Sequence, residues 1–419
     1  MPDQATTAEL DGARVCRSCE LPGLKPFLSL GKTPLANALV PPERLETDDA
    51  AFPLDVGFCP HCTLVQILEA LPADVIFNAD YPYFSSFSEE LLRHSREHVR
   101  HLIDERELGP QSLVVEIASN DGYLLTNVVE AGVKALGIEP TPGPAAAARS
   151  AGVPTIEEFF GLDLARRLTR DGVRADVIVA NNVMAHVPEL NDFVAGMALL
   201  LADDGVITVE NPWVRELVDR LAFDTVYHEH FCYYSCTAVD ALVRRHGLYL
   251  NDVEYFPDLH AGTLRWHLGK TEHPSPAVGR FLAAEREGGL TTFDYYRGFA
   301  DRVKTAKKEL VTFLAALKEQ GATIAAYGAA AKGATLLNFA GLDTRVIDFV
   351  VDRNPHKQGR YMAGARLPIL RTEALLERAP DYTLILAWNF AKEIAEQQSA
   401  YTDAGGRFVV PLPQPRILT

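Results

Sequence analysis

Ser112-Leu113-Val114-Val115-Glu116-Ile117-Ala118-Ser119-Asn120-Asp121-Gly122 decides the fold. Val114, Val115 and Ile117 make a short apolar run of the kind that forms a strand buried on both faces. A sharp turn follows, then a helix predicted over 122–131. Strand, turn and helix in that order build a nucleotide crevice at the carboxyl end of the strand. Glu139 ends the next predicted strand, 135–139, about 20 residues on, where a carboxylate can accept hydrogen bonds from both ribose hydroxyls of a cofactor. Further strands at 176–180 and 206–210, separated by helical stretches, imply a doubly wound parallel sheet. The Gly-x-Gly-x-x-Gly fingerprint of NAD sites is absent, and an ordinary strand-to-helix turn remains an alternative reading.

Outward from this block, a second alternating pattern occupies the C-terminal part. Strands are predicted at 323–327, 346–351, 382–387 and 407–410, and the first runs into Gly328-Ala329-Ala330-Ala331-Lys332-Gly333 and a helix. It reads as a smaller α/β domain, reached through a helical connector over 293–320. On the other side, an aromatic-polar bridge, Asp80 to Phe87, leads into a helix predicted over 88–107. The expected division is a module over 1–75, a central α/β domain over 76–290 and a C-terminal α/β domain over 291–419.

The first module carries Cys16-Arg17-Ser18-Cys19 and Cys59-Pro60-His61-Cys62. Two residues between paired sulfurs let a tight knuckle aim both thiolates at one point, and two knuckles complete a tetrahedral shell for structural Zn²⁺ on Cys16, Cys19, Cys59 and Cys62. A redox pair would need one copy at a βα junction, and disulfides would suit a secreted chain. A closed thiolate site leaves no position for substrate, so the metal staples a small domain that could not build a sufficient core alone. Gly31-Lys32-Thr33 is no Walker A loop, because the position of its first glycine is Pro26.

The chain has 419 residues and a formal charge of −16. That charge disfavours a nucleic-acid partner but admits a small anion held by local cations or a helix N-terminus. No apolar run is long enough to span a bilayer, and Met1 to Glu9 have neither a basic nor an apolar region of a secretory signal. Cys232 and Cys236 read as buried thiols. A cytoplasmic setting is expected.

Several motifs stand in one order: the two knuckles with Gly31-Lys32-Thr33-Pro34-Leu35-Ala36-Asn37 between them; Tyr83-Phe84-Ser85-Ser86; Glu116 to Gly122; Asn181-Asn182-Val183-Met184-Ala185-His186-Val187; Tyr227-His228-Glu229-His230-Phe231; His260-Ala261-Gly262-Thr263-Leu264-Arg265; and Asp352 to Gly359. Together they resemble the nucleotide-sugar C-methyltransferases of antibiotic deoxysugar pathways. Glu116 to Gly122 resembles motif I of class I methyltransferases, Glu-x-Gly-x-Gly-x-Gly, with Ala118 and Asn120 in place of the first two glycines. The resemblance implies a zinc module and a C-terminal α/β domain closing over a central Rossmann-like domain that binds S-adenosylmethionine. It implies a dTDP-linked 4-keto-deoxysugar in the cleft, methylated at C3, or at C5 in other members, and a monomeric enzyme.

Carbon is a poor nucleophile, so such chemistry needs a base for the acidic hydrogen beside a ketone and donors aimed at the enolate oxygen. The resemblance makes His230 the base and His186 the alternative, with Glu229 orienting an imidazole or contacting substrate, and Tyr227 and Tyr81 as hydroxyl donors. Ala118, Asn120, Gly122, Glu116, Glu139 and Asn182 would hold the cofactor, with Glu157 or Glu158 near adenine. Tyr83, Ser85, His260, Arg265 and Lys332 would meet the sugar nucleotide, assisted by Arg353, Lys357 or Arg360. Taken alone, His186 could satisfy backbone carbonyls in a turn, and the tyrosines could be interdomain core. His228 alternates with its neighbours, so in an extended segment it faces away and is structural. An NAD-linked oxidoreductase and a noncatalytic scaffold that binds nucleotide sugars are the readings from other classes.

Overall fold

The computed structural model describes residues 14–69, 71, 85–87, 89–259 and 262–418. Its strands in chain order are β1 Lys25–Pro34, β2 Ala51–Phe58, β3 Val65–Ile67, β4 Leu113–Ile117, β5 Lys134–Ile138, β6 Thr155–Ile156, β7 Ala175–Asn181, β8 Leu201–Pro212, β9 Cys232–Tyr233, β10 Tyr249–Phe256, β11 Thr263–Gly269, β12 Ile324–Tyr327, β13 Val350–Val351, β14 Ile369–Leu370, β15 Tyr382–Ile385, β16 Arg407–Val410 and β17 Arg416–Ile417.

The central sheet has the order β6-β5-β4-β7-β8-β11-β10. Counted along the domain this is third, second, first, fourth, fifth, seventh, sixth. Its first five strands are parallel, and β11 runs antiparallel to both its neighbours. That is the class I methyltransferase order. Strand order reverses between β4 and β7, so the crevice opens at the carboxyl end of β4, where Ala118 to Gly122 follow. The C-terminal sheet, β14-β13-β12-β15-β16-β17, repeats the doubly wound plan and has its own crevice after β12.

The third sheet is β1-β2-β3-β9. Three of its strands belong to the N-terminal module, but β9 comes from the central domain, with Val65 opposite Tyr233 and Gln66 opposite Cys232. The module is therefore stitched into the chain that follows Tyr227–His230. The connector is two helices, Phe293–Arg297 and Phe299–Glu319, broken at Gly298 rather than continuous as expected. Tyr296 stacks on Phe27 and Phe58, with centroids at 5.0 and 5.1 Å, and so fixes the connector to the zinc module's sheet. One apolar core runs through all three parts. Of the strand predicted over 346–351, only Val350–Val351 joins a ladder. Among the described residues no helix is long and apolar enough to cross a membrane.

Candidate functional site

The metal module is built from two near-copies of one turn. Glu20 N–H donates to Cys16 O, Thr63 N–H donates to Cys59 O, and both residues take left-handed backbones at φ 60° and 63°. This brings one sulfur from each cysteine within 4.8 Å of all the others. Closest approaches are 3.5 Å for Cys16–Cys62 and for Cys19–Cys59. A tetrahedral Zn–S shell of about 2.3 Å requires sulfurs near this spacing, so the donor set fits zinc. Gln66 Nε2 donates to the Cys16 sulfur at 3.2 Å, a further bond that suits a thiolate.

The crevice after β4 is a strained, acidic pocket. Ala118, Asn120 and Gly122 have φ of 55°, 49° and 80°, so alternate residues are left-handed. Asn120 tolerates this better than most side chains, and Ala118 bears it at a cost of about 1–2 kcal/mol. Glu139 accepts the Asn120 N–H at 3.0 Å and the Thr141 N–H at 2.8 Å. Burial raises its pKa against those bonds. Glu116 lies beneath, fully buried, its carboxyl pushed well up by burial and then by Asp121 and Glu139. Glu116 Oε2 and Asp121 Oδ1 are buried acceptors without a partner among the described residues. The unpartnered acceptors Glu116 Oε2 and Asp121 Oδ1 suit a ligand that carries ammonium and sulfonium groups, so the residues present fit S-adenosylmethionine. Asn182, left-handed at φ 54°, stands at the end of β7 and donates its N–H to Glu210 O at 2.7 Å.

A further turn packs on the residues that follow β7. Tyr227–His230 is a turn closed by His230 N–H to Tyr227 O at 2.9 Å, not the extended segment assumed for His228. His228 nevertheless points away from the other ring and reaches Pro53 O of the zinc module at 3.1 Å. His230 Nδ1 lies 2.8 Å from Thr225 O, and Nε2 lies 2.8 Å from the Tyr227 hydroxyl. A carbonyl oxygen can only accept, so Nδ1 carries the proton, and Nε2 presents a lone pair to the Tyr227 O–H. The His186 ring is 4.7 Å from His230, at 63°. Burial lowers His186 to about 4, a bond to the Glu229 backbone opposing this. Glu229 is 3% exposed, and both its oxygens accept from Asn37 Nδ2, at 2.8 and 2.9 Å. Phe231 ties the turn down on both sides: its N–H donates to Ala185 O, and its carbonyl accepts from Ile67 N–H of the zinc module.

The remaining predicted residues divide. Ser85 donates its backbone N–H to Asn120 Oδ1 at 2.9 Å and so belongs to the cofactor loop. Arg265, expected at the sugar, is 3% exposed and held by Glu210 and Glu254, with His94 alongside. Lys332, expected to meet an anion, is turned to the domain interface. Its ammonium is 3.1 Å from Asn389 Oδ1, 3.8 Å from Asp224 Oδ2 and 4.2 Å above the Trp388 ring. Burial pushes Asp224 up and Lys332 down, their mutual attraction opposing both. Glu157 and Glu158 pair with Arg149 and Arg167. Lys357 donates to Ala329 O at 2.8 Å beside the second crevice. Tyr81, Tyr83 and His260 lie outside the described residues. Asn37, Asp224, Thr225 and Trp388 fall outside the sequence expectations. Only Asn37 had a signal, its place in a quoted motif.

The class I methyltransferase strand order and its crevice, joined to a four-thiolate metal module, define a methyltransferase. Family models agree: a zinc binding domain matches residues 16–77, a methyltransferase domain 91–253 and a C-methyltransferase C-terminal domain 258–413. The chain is 36% identical over 411 residues to the C-methyltransferase NovU of Streptomyces niveus, covering 96% of each. The protein belongs to this C-methyltransferase family. Over 43% of its length it is also similar to magnesium protoporphyrin IX methyltransferase of Synechocystis PCC 6803 (14% identity, 79% of that chain, TM-score 0.33). Over the same share it is similar to a S-adenosylmethionine-dependent methyltransferase of Clostridium acetobutylicum (9% identity, 92% of that chain, TM-score 0.34). At such scores neither adds to what the strand order shows.

Proposed function

We propose that this C-methyltransferase acts on C3 of a dTDP-linked 4-keto-deoxysugar, with His230 as the base. The observation that carries the reading is the fixed tautomer of His230, whose Nδ1–H is held by Thr225 O and whose Nε2 lone pair faces the cleft side chain of Tyr227. Held by Glu116, Asn120, Glu139 and Asn182, S-adenosylmethionine would supply a methyl group to an enolate carbon, its sulfonium sulfur keeping the bonding pair.

The chain's own residues manage the proton. Substrate draws the Tyr227 O–H away from Nε2, and Nε2 then takes the proton from the carbon beside the ketone while the C–H pair moves into an enolate. The Tyr227 hydroxyl, 2.8 Å from Nε2, is placed to donate to the enolate oxygen, so acceptor and oxyanion donor stand side by side. His186, lowered to about 4 by burial, is neutral near pH 7 and a weak base. It serves as a neutral wall to the His230 ring. The C-terminal domain supplies the nucleotide's seat at the crevice after β12, where Ala329, Asp352 and Lys357 meet.

Incubation with methyl-labelled S-adenosylmethionine and a dTDP-4-keto-6-deoxyhexose is expected to place label on C3. Label on C5 would reassign the position within the same chemistry. No carbon-bound label from any such sugar would overturn the reading.

A further inference from the structure

The carbonyl that sets the His230 tautomer is itself held from another domain. Thr225 ends a short turn, Phe223–Thr225, closed within the central domain by Thr225 N–H to Ala222 O and Val226 N–H to Phe223 O. Its outer side packs against the C-terminal domain. Trp388 Nε1 donates to Asp224 Oδ2 at 2.7 Å, and Lys332 Nζ approaches the same oxygen at 3.8 Å. Thr335 Oγ1 donates to Val226 O at 3.3 Å, and the Phe339 ring meets Phe223 edge-on at 5.3 Å. Lys332, Thr335 and Phe339 share one helix, Ala331–Ala340, which begins where the crevice loop after β12 ends.

A carboxylate with no exposed surface needs partners to remain in place, and removing one leaves a buried charge that pulls its backbone elsewhere. Asp224 is one residue from Thr225, so any such shift moves the acceptor of His230 Nδ1–H. We propose that Asp224, Lys332 and Trp388 form an interdomain clamp that holds the Thr225 carbonyl against His230. These are positioning residues: none need touch substrate. The clamp rests on the assignment of His230 as base for its effect on rate, but not for its effect on the ring. It also makes the base dependent on domain closure, because only a docked C-terminal domain supplies Lys332 and Trp388.

The test uses the full chain with ¹⁵N-labelled histidine and the variants Trp388→Phe and Asp224→Asn. Trp388→Phe removes the N–H but keeps an aromatic ring at the interface, so it keeps the test open should Asp224→Asn fail to fold. The wild type is expected to show His230 as a single Nδ1–H tautomer, assigned by its loss in His230→Asn. Each folded variant is expected to show mixed tautomers and a kcat lower by about 10- to 100-fold, the usual cost of removing a partner that orients an imidazole. KM for the sugar and affinity for S-adenosylmethionine are expected to stay near wild type. An unchanged tautomer signature with unchanged kcat in folded Trp388→Phe would overturn the clamp. Full activity in His230→Asn would instead overturn the assigned base while leaving the tautomer result to judge the clamp.

Discussion

Replacing Asn37 by alanine separates a catalytic contribution of the zinc module from a merely structural one. Asn37 lies beyond β1, yet its Nδ2 bridges both oxygens of Glu229, at 2.8 and 2.9 Å. Glu229 is next to His230 and 3% exposed, so water cannot readily replace the amide. A hydrogen bond to an ionised acceptor contributes about 1.5–3 kcal/mol net, and about 1.4 kcal/mol is a factor of ten. If that energy holds the Tyr227–His230 turn and His230 is the proposed base, Asn37→Ala lowers kcat/KM by about 10- to 100-fold. Asn37→Asp sets two carboxylates against each other and should be worse at neutral pH, recovering in part as pH falls and one protonates. Initial rates of methyl transfer to the sugar, with calorimetric titration of S-adenosylmethionine as the control, measure both. Affinity for S-adenosylmethionine should hold, because the Asn37 side chain bonds Glu229 and not the loop after β4. A kcat/KM within about twofold of wild type in folded Asn37→Ala would refute the reasoning.

Other expectations follow from neighbouring geometry. Ala118→Gly relieves a left-handed alanine and should leave S-adenosylmethionine binding intact, with stability unchanged or raised by up to about 1 kcal/mol. Asn120→Gly suits the backbone equally but deletes the acceptor for Ser85 N–H, so binding should weaken about fivefold on titration. Cys59→Ser should lose the metal, measured by elemental analysis, and methyl transfer with it, because β3 pairs with β9 two residues beyond His230; S-adenosylmethionine affinity should survive. His98 is 2% exposed, and burial, then Arg265, lowers it to about 3 from its ordinary 6.5. Between those values the unfolded chain binds a proton that the native chain does not, so this residue makes stability fall as pH falls through that window, by about 1.4 kcal/mol per unit. His98→Phe should flatten that slope in denaturant titrations at pH 4 and 6; parallel slopes would show that His98 does not titrate as its burial implies.

Much of the fold was readable because it rests on local patterns. Val114, Val115 and Ile117 mark a two-sided buried strand, and paired cysteines mark a metal turn whatever lies around them. The departures from motif I are legible in retrospect: Asn120 and Ala118 hold the left-handed backbone that glycines would, and Asn120 adds the acceptor for Ser85 that glycine lacks. What the sequence hides is contact across distance. Asn37 and Glu229 are 192 residues apart, and Asp224 and Trp388 are 164 apart. Arg265 reads as a substrate cation until Glu210 and Glu254 are seen against it. The pairing of β9 with β3 is equally silent, since Cys232–Tyr233 is too short to carry a strand signal.

The account turns on His230 removing a carbon-bound proton, and isotope exchange tests that step without methyl transfer. In D₂O with S-adenosylhomocysteine bound, the wild type should exchange the C3 hydrogen of a dTDP-4-keto-6-deoxyhexose for deuterium, followed by mass spectrometry and NMR. His230→Asn, binding S-adenosylhomocysteine normally, should not exchange it above the rate in buffer. Exchange at the wild-type rate in that variant would contradict the account.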